Sequence, residues 1–140
     1  MEASLSKQLI IRNDVSELER VQAFVDELEA LGMFPASFSM QLNLVLEEAL
    51  SNIIFYAYEP GSAQSITIDF IYRDKSLEIN IMDTGKAFDP TAKEDPDINL
   101  PAEERPIGGL GIFLIKKIMD ELSYTRQQEC NILKMKKKFD

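Results

Sequence analysis

The stretch from Ser37 or Ser39 to Tyr58 constrains this chain most. Wound as a helix, it spreads Leu42, Leu44, Val45, Leu46, Ala49, Leu50, Ile53, Ile54 and Phe55 almost all the way round the axis. That pattern marks a helix covered on most sides, not one lying on a surface, so the fold must supply layers around it. Set within the same run are Glu47, Glu48, Ser51 and Asn52. Glu48 and Asn52, at i and i+4, project from nearly the same side, whereas Glu47 points about 100° away. A carboxylate and a carboxamide are costly to bury unpartnered. The pair therefore either bridges neighbouring backbone or does chemistry, with Asn52 offering a hard oxygen to Mg²⁺ and Glu48 a general base.

The flanking segments supply the layers. Leu5, Leu9 and Ile11 read as a first strand. Asn13 or Asp14 then caps a helix with one apolar stripe, Val15, Leu18, Val21, Val25, Leu28 and Leu31, ended by Gly32 and Pro35. Its exposed Glu17, Glu19 and Arg20 suit either plain solubility or a partner face. After a turn at Glu59-Pro60-Gly61-Ser62, strands over Ser65–Tyr72 and Ser76–Met82 alternate as a hairpin with one buried face, joined by Arg73-Asp74-Lys75. From Asp83 to Gly108 the periodicity vanishes, and four of the six prolines fall there (Pro90, Pro96, Pro101, Pro106). A loop of that length in a compact domain is usually functional or disordered. Gly109-Leu110-Gly111 opens a third helix carrying Ile112, Ile115, Ile118 and Met119, and strands around Leu122–Gln127 and Ile132–Phe139 close the chain. The run Lys134-Met135-Lys136-Lys137-Lys138 reads as a charged, exposed sheet edge that resists pairing.

At 140 residues this is one domain spanning 1–140. Its net charge of -9 disfavours direct binding to nucleic acid or an anionic membrane. An acidic chain that holds a nucleotide needs local donors and a metal to offset its own field. Cys130 is the sole cysteine, which points to a reducing, cytoplasmic setting, and neither a signal peptide nor a membrane span is expected. There are no histidines, which removes Ser-His triads, histidine-ligated zinc and an autophosphorylated histidine together.

Two further clusters accompany Glu48 and Asn52. Asp83-Thr84-Gly85-Lys86-Ala87-Phe88-Asp89-Pro90 stands where a strand enters the long loop. An Asp closing a buried strand can accept a hydrogen bond from an amine such as adenine N6, and Gly85 would let backbone approach a flat ring. A plain Asp-x-Gly turn has the same letters. Gly108-Gly109-Leu110-Gly111 precedes a helix, where free backbone N–H groups and the positive dipole end suit phosphate, or where glycines simply make a hinge. No Gly-x-x-x-x-Gly-Lys-Ser/Thr occurs, so a P-loop is excluded.

The order is the specific signal: Glu-x-x-x-Asn on a buried helix, Asp-x-Gly at a strand end, a long loop, then Gly-Leu-Gly at a helix start. This succession resembles the N, G1 and G2 boxes of the gyrase/histidine-kinase/mismatch-repair (GHKL) ATPases over essentially the whole chain. Glu48-Ala49-Leu50-Ser51-Asn52-Ile53-Ile54 and Arg105-Pro106-Ile107-Gly108-Gly109-Leu110-Gly111-Ile112 are most similar to the anti-sigma-factor serine kinases. The resemblance implies an α+β two-layer Bergerat-type sandwich, with about three helices on one face of a mixed, mostly antiparallel sheet and an ATP lid at about 84–108. It implies ATP and Mg²⁺ as cofactors, with Asn52 on the metal and Glu48 as the base that deprotonates a substrate serine. Asp83, Gly85, Phe88, Gly108, Gly109, Leu110, Gly111 and Ile112 would complete the ATP site. Lys86, Arg105 and Lys116 are candidate local cations.

Two positions depart from the pattern. Lys86-Ala87-Phe88 stands where a second glycine is common, and Asn131 occupies the place of a threonine often found near adenine. By resemblance the partners are a sigma factor and an anti-anti-sigma protein, and the chain is a homodimer. The alternative is a nucleotide-binding module that captures partners without phosphotransfer, against which the retained Glu48 argues. A detached histidine-kinase catalytic domain is the third reading; its phosphoacceptor would lie on another chain.

Overall fold

A computed structural model of the chain describes residues 4–58, 64–87, 89, 91 and 109–140. In chain order the elements are β1 (Leu5–Arg12), α1 (Leu18–Ala30), α2 (Ser39–Asn52), β2 (Ser65–Arg73), β3 (Ser76–Asp83), α3 (Gly109–Ile118), β4 (Glu121–Gln127) and β5 (Cys130–Lys138). Short 3₁₀ turns, Val15–Glu17 and Ala36–Phe38, lead into α1 and α2. Most of the expected lid, with Phe88, Arg105 and Gly108, lies outside the described residues.

The strands form one five-stranded sheet in the order β1-β2-β3-β5-β4. Every pairing is antiparallel, a simpler arrangement than the mixed sheet expected. Two tight hairpins account for much of this. Asp74 and Lys75 (φ 53° and 60°) join β2 to β3, and Gln128 and Glu129 (φ 50° and 64°) join β4 to β5. Two successive left-handed residues make a turn whose twist matches the flanking strands.

Alternation decides which face is covered. Ile66, Ile68 and Phe70 on β2, Leu77, Ile79 and Ile81 on β3, and Leu133 and Met135 on β5 are all buried in one phase. The helices lie over that face: α2 packs between α1 and α3, and Phe24 of α1 meets Phe70 of β2 with ring centroids 5.6 Å apart. Leu42, Val45, Leu46, Ala49, Leu50 and Asn52 of α2 are buried, but Leu44 is half-buried and Glu47 and Phe55 are exposed, so the helix is covered on one broad face and not on most sides as expected.

Three readings are corrected by packing. The helix expected to run to Tyr58 changes after Asn52 into a π-helical turn, Ile53–Ala57. A one-turn widening of this kind re-aims the residues that follow and is frequent at functional sites. Secondly, β5 is interior, paired with both β3 and β4, so its lysines do not mark a sheet edge. Lys134, Lys136 and Lys138 instead take the phase opposite buried Leu133 and Met135, and Lys136 faces Glu121 with Nζ 4.0 Å from the carboxylate. Thirdly, Glu17 is buried, not exposed. Arg12 Nε donates to it at 2.9 Å and Arg20 to its other oxygen, and the Arg12 bond holds its carboxyl below the ordinary glutamate value. The start of α1 is therefore tied to β1, while Asp14 accepts from Ser16 N–H at 2.9 Å as the cap.

Candidate functional site

Register builds the floor of the site. Asp83 is the last residue of β3 and stands in phase with buried Leu77, Ile79 and Ile81. Its antiparallel neighbour is Asn131 on β5, and Asn131 is opposite Arg126 on β4. One polar row thus crosses three strands at the end of a face whose buried centre is apolar. Asp83 and Asn131 are each 4% exposed, so their polar atoms must find partners within the protein or in a ligand.

Within the row, Asn131 is saturated. Its Nδ2 donates to Asp83 Oδ1 at 2.9 Å and to the Lys86 carbonyl at 3.0 Å, with the Gly85 carbonyl at 3.4 Å. Its Oδ1 accepts from the Tyr124 hydroxyl and from Arg126 Nη1, the latter at 2.9 Å. Asp83 Oδ1 also accepts from Gly85 N–H at 2.9 Å. Burial pushes the Asp83 carboxyl above its ordinary value, against the lowering effect of the Asn131 and Gly85 bonds and of the Arg126 charge.

The turn after β3 is fixed from every side. Thr84 N–H donates to the Tyr58 hydroxyl at 2.7 Å, Lys86 N–H to the Ala57 carbonyl at 2.9 Å, and the Gly85 carbonyl accepts from Arg126 Nη1 at 2.9 Å. The Ala57 carbonyl belongs to the last turn of the helix, where carbonyls lack intrahelical donors. The π-turn thus presents its end group to the turn that carries Gly85. A Cβ on Gly85 would sit 2.8 Å from Ala57 Cβ and 2.9 Å from its carbonyl carbon. Glycine is required here by close packing of chain on chain; the space it leaves is filled by Ala57, where the sequence suggested a ligand ring.

The wall comes from α2 and α3. Asn52 is 8% exposed, and its Nδ2 has no hydrogen-bond partner among the described residues. It lines a cleft together with Ala49, Asp83, Ile112, Tyr124 and Asn131. Glu48, one turn back, is half-buried, while Glu47 is exposed and borders a separate groove with Glu19. A Cβ on Gly111 would stand 3.2 Å from the Glu48 carboxyl carbon and 3.5 Å from its Cβ. Gly111 therefore lets the first turn of α3 close on Glu48. Helix α3 begins at Gly109, so Gly109, Leu110 and Gly111 form the end whose free N–H groups favour an anion.

Of the residues singled out in the sequence, Asn52, Asp83 and Ile112 share one cleft, Glu48 touches Gly111, and Gly85 buttresses Asp83. Lys86 is held through its backbone. Sequence reasoning missed Tyr124 and Arg126. A signal was present: Leu122, Tyr124 and Arg126 share one phase of β4, and an arginine in an inward phase needs an acceptor there. No cluster of three acidic, cysteine or histidine side chains capable of holding a metal gathers among the described residues. The unpaired Asn52 Nδ2 is a hydrogen-bond donor that suits a phosphate oxygen, and the Oδ1 of the same amide is a hard oxygen of the kind that Mg²⁺ carried on phosphates would take. No helix is long and apolar enough to cross a membrane among the described residues.

Comparison with known proteins bears on the family and the fold. The chain is 33% identical over 92 residues to the serine/threonine-protein kinase BtrW of Bordetella bronchiseptica, covering 66% of this chain and 65% of that protein. It is 29% identical over 99 residues to the serine-protein kinase RsbW of Listeria monocytogenes (68% of this chain, 63% of that one) and 32% identical over 99 residues to RsbW of Bacillus cereus (68% and 61%). The matches thus span less than two thirds of these relatives' length. Among solved structures, the histidine kinase domain of the blue-light activated histidine kinase from Erythrobacter litoralis shares the fold, with a TM-score of 0.54 at 17% identity over 91% of this chain and 61% of that one. A family model described as the histidine kinase-like ATPase domain matches residues 11–137, and the chain belongs to that family.

Proposed function

We propose that this protein is an ATP-dependent protein serine kinase of the anti-sigma type, acting in the cytoplasm on an anti-anti-sigma protein and also binding a sigma factor. One observation carries the reading: Asn52, with an amide nitrogen left unpaired among the described residues, and Asp83 line the same cleft. The kinase names of the relatives add to it. In this reading Asp83 accepts the exocyclic amine of adenine, while Ala49, Ile112 and Leu133 give the ring an apolar berth. The amides of Gly109, Leu110 and Gly111, with Gly108 before them, hold phosphate oxygens. Asn52 gives an oxygen to Mg²⁺, which when bound neutralises phosphate charge. Phe88 belongs to the same ATP site.

Glu48 is the base. It takes the proton of a serine hydroxyl as the serine oxygen forms its bond to the γ-phosphorus; the bond to the bridging oxygen breaks, and ADP leaves with the electron pair. Phosphoryl transfer is governed mainly by positioning and charge neutralisation, so a single carboxylate and a set of amides suffice. Contact with Gly111 keeps Glu48 at the phosphate end of α3. The protein acts as a homodimer and contacts no nucleic acid.

Calorimetric titration with ATP and ADP, with and without Mg²⁺, tests the reading. Binding that depends on magnesium and weakens at least ~10-fold in Asn52→Ala is expected, the loss of one charge-assisted contact being worth about that much. Absence of binding by either nucleotide sinks it. Binding without phosphotransfer to any serine substrate would leave the partner-capturing module in its place.

A further inference from the structure

We propose that Asn131, locked by Tyr124 and Arg126, is a positioning residue that sets base selectivity by fixing the plane of the Asp83 carboxylate so that an unoccupied acceptor oxygen faces the ligand. The inference rests on the nucleotide-binding reading above and goes beyond it by assigning selectivity to the residues beside Asp83 that hold it in place.

The hydrogen bonds leave one solution. Asp83 Oδ1 takes two donors, Gly85 N–H and Asn131 Nδ2, which use both of its in-plane lone-pair directions. No described residue donates to Oδ2, and Asp83 borders the cleft, so Oδ2 is the oxygen available to a ligand. Asn131 makes this arrangement one-way. Turning its amide over would set its oxygen against Asp83 Oδ1 and the Lys86 carbonyl, both acceptors. It would also bring its NH₂ against the Arg126 guanidinium, a donor only. The Tyr124 hydroxyl and Arg126 Nη1 both point at Asn131 Oδ1, so the carboxamide is read in one orientation by four groups.

A threonine at this place has one hydroxyl hydrogen. It could not donate to Asp83 and Lys86 together while accepting from Tyr124 and Arg126. Asparagine with its two neighbours is thus a specific solution in this chain, built on the polar row that register creates across β3, β5 and β4.

The consequence is selectivity for a donor at the 6-position of a purine. An ionised carboxylate offers acceptors only, so a 6-amino group is welcomed and a 6-oxo group meets like partial charge. Were Asn131 absent, the Asp83 carboxylate could turn out of that plane and lose its aim at the ligand, or take up a proton and become a donor. Arg126 acts at both ends of the device, through Asn131 and through the Gly85 carbonyl, so it also fixes the turn on which Asp83 depends.

The test compares adenosine diphosphate with inosine diphosphate in the presence of Mg²⁺, by calorimetry on the full chain. The wild-type protein is expected to prefer the adenine nucleotide by at least ~100-fold, as a site built around a specific hydrogen bond does. Asn131→Leu should lose ~10-fold or more of that preference, and Tyr124→Phe and Arg126→Met smaller amounts in the same direction. In an Asp83→Asn background the effects of Tyr124→Phe and Arg126→Met on the preference should vanish, because they act through Asp83. A purely structural role predicts something else: equal loss for both nucleotides with the ratio unchanged, which overturns the proposal. So does an unchanged ratio in the two rim variants, which carry the test by themselves if Asn131→Leu fails to fold. A wild-type protein that binds neither nucleotide overturns the nucleotide reading itself, and a wild type that binds both alike overturns this proposal alone.

Discussion

The two sides of the cleft are built on opposite principles. On the sheet side, Asn131 has all its amide capacity met by protein, and the turn from Thr84 to Lys86 is tied down at each backbone N–H. On the helix side, Asn52 is as deeply buried as a core residue, yet its amide nitrogen is left without a partner among the described residues. Fully satisfied buried networks rigidify a fold, whereas an unsatisfied buried amide costs about 1–3 kcal/mol. The sheet side is therefore a finished frame, which in the proposed function reads a base. The helix side holds a group whose partner, in the same reading, arrives with the ligand, so that its stability deficit is the counterpart of affinity.

The largest expected effect is on the helix side and concerns chemistry alone. Glu48→Gln keeps the shape of the side chain beside Gly111 and removes the base. Phosphotransfer to a serine substrate should fall ~10²- to 10⁴-fold, the usual contribution of a general base, with nucleotide affinity nearly unchanged. Full activity in this variant, read by incorporation of labelled phosphate, would remove Glu48 from the mechanism.

Gly85→Ala probes the frame. The added methyl has no room against Ala57 Cβ at 2.8 Å and the Ala57 carbonyl carbon at 2.9 Å, so backbone has to move. Overpacking of this kind costs about 1–3 kcal/mol, visible as a lower melting temperature, and nucleotide affinity should fall with it. Gly111→Ala separates the two sides. Here the obstacle is the movable Glu48 carboxylate, and alanine favours a helix over glycine by about 1 kcal/mol. Melting should therefore hold or rise while phosphotransfer drops, because Glu48 is displaced. Loss of both together would mean that the two glycines serve the same purpose.

A matched pair sharpens the contrast further. Asn52→Leu exchanges an unpaired amide for an apolar group of similar size, so the ligand-free protein should melt no lower than wild type while magnesium-dependent binding disappears. Asn131→Leu strips donors and acceptors from Asp83, Lys86, Tyr124 and Arg126, so it should destabilise by about 1–3 kcal/mol. Equal melting losses in the two variants would refute the distinction between frame and open wall.

How much of this was legible in the sequence follows from which forces act locally. Helix α2 as far as Asn52 and the hairpin from β2 to β3 are written in periodicity and reappear in the fold, and of the succession Glu48, Asn52, Asp83 and Gly111, written in spacing, Asn52 and Asp83 share one cleft while Glu48 meets Gly111. The placement of β5 inside the sheet was not readable, since strand order depends on which edges the helices leave open, and alternating lysines look the same in either place. Glu17 was misread because its burial is created by Arg12 on a different element. Asn131 could be suspected from the sequence, but its role required the register that sets it between Asp83 and Arg126.

The smallest expected effect is a pair of opposite pH profiles. Glu17 and Asp83 are both buried carboxylates, but Glu17 lies under two guanidiniums and Asp83 under a neutral amide. Glu17 is held below its ordinary value of 4.5, so the folded state binds its proton less tightly than the unfolded chain. Its stabilisation is full above 4.5 and is lost as pH falls through the lowered folded value. Asp83 is raised above its ordinary 3.8, so ionising it opposes folding, with that opposition growing as pH rises from 3.8 through the raised folded value. Asp83→Asn keeps an oxygen for the Gly85 and Asn131 donors and removes the charge, so it should raise the melting temperature near neutrality and have little effect in acid. Glu17→Gln should do the reverse, lowering it near neutrality with a difference that closes in acid. Melting curves of the two variants across that range should therefore diverge from wild type in opposite directions. Parallel curves would mean that Asp83 gains as much from Asn131, Gly85 and Arg126 as it loses to burial, and that the frame holds a fully stabilised anion.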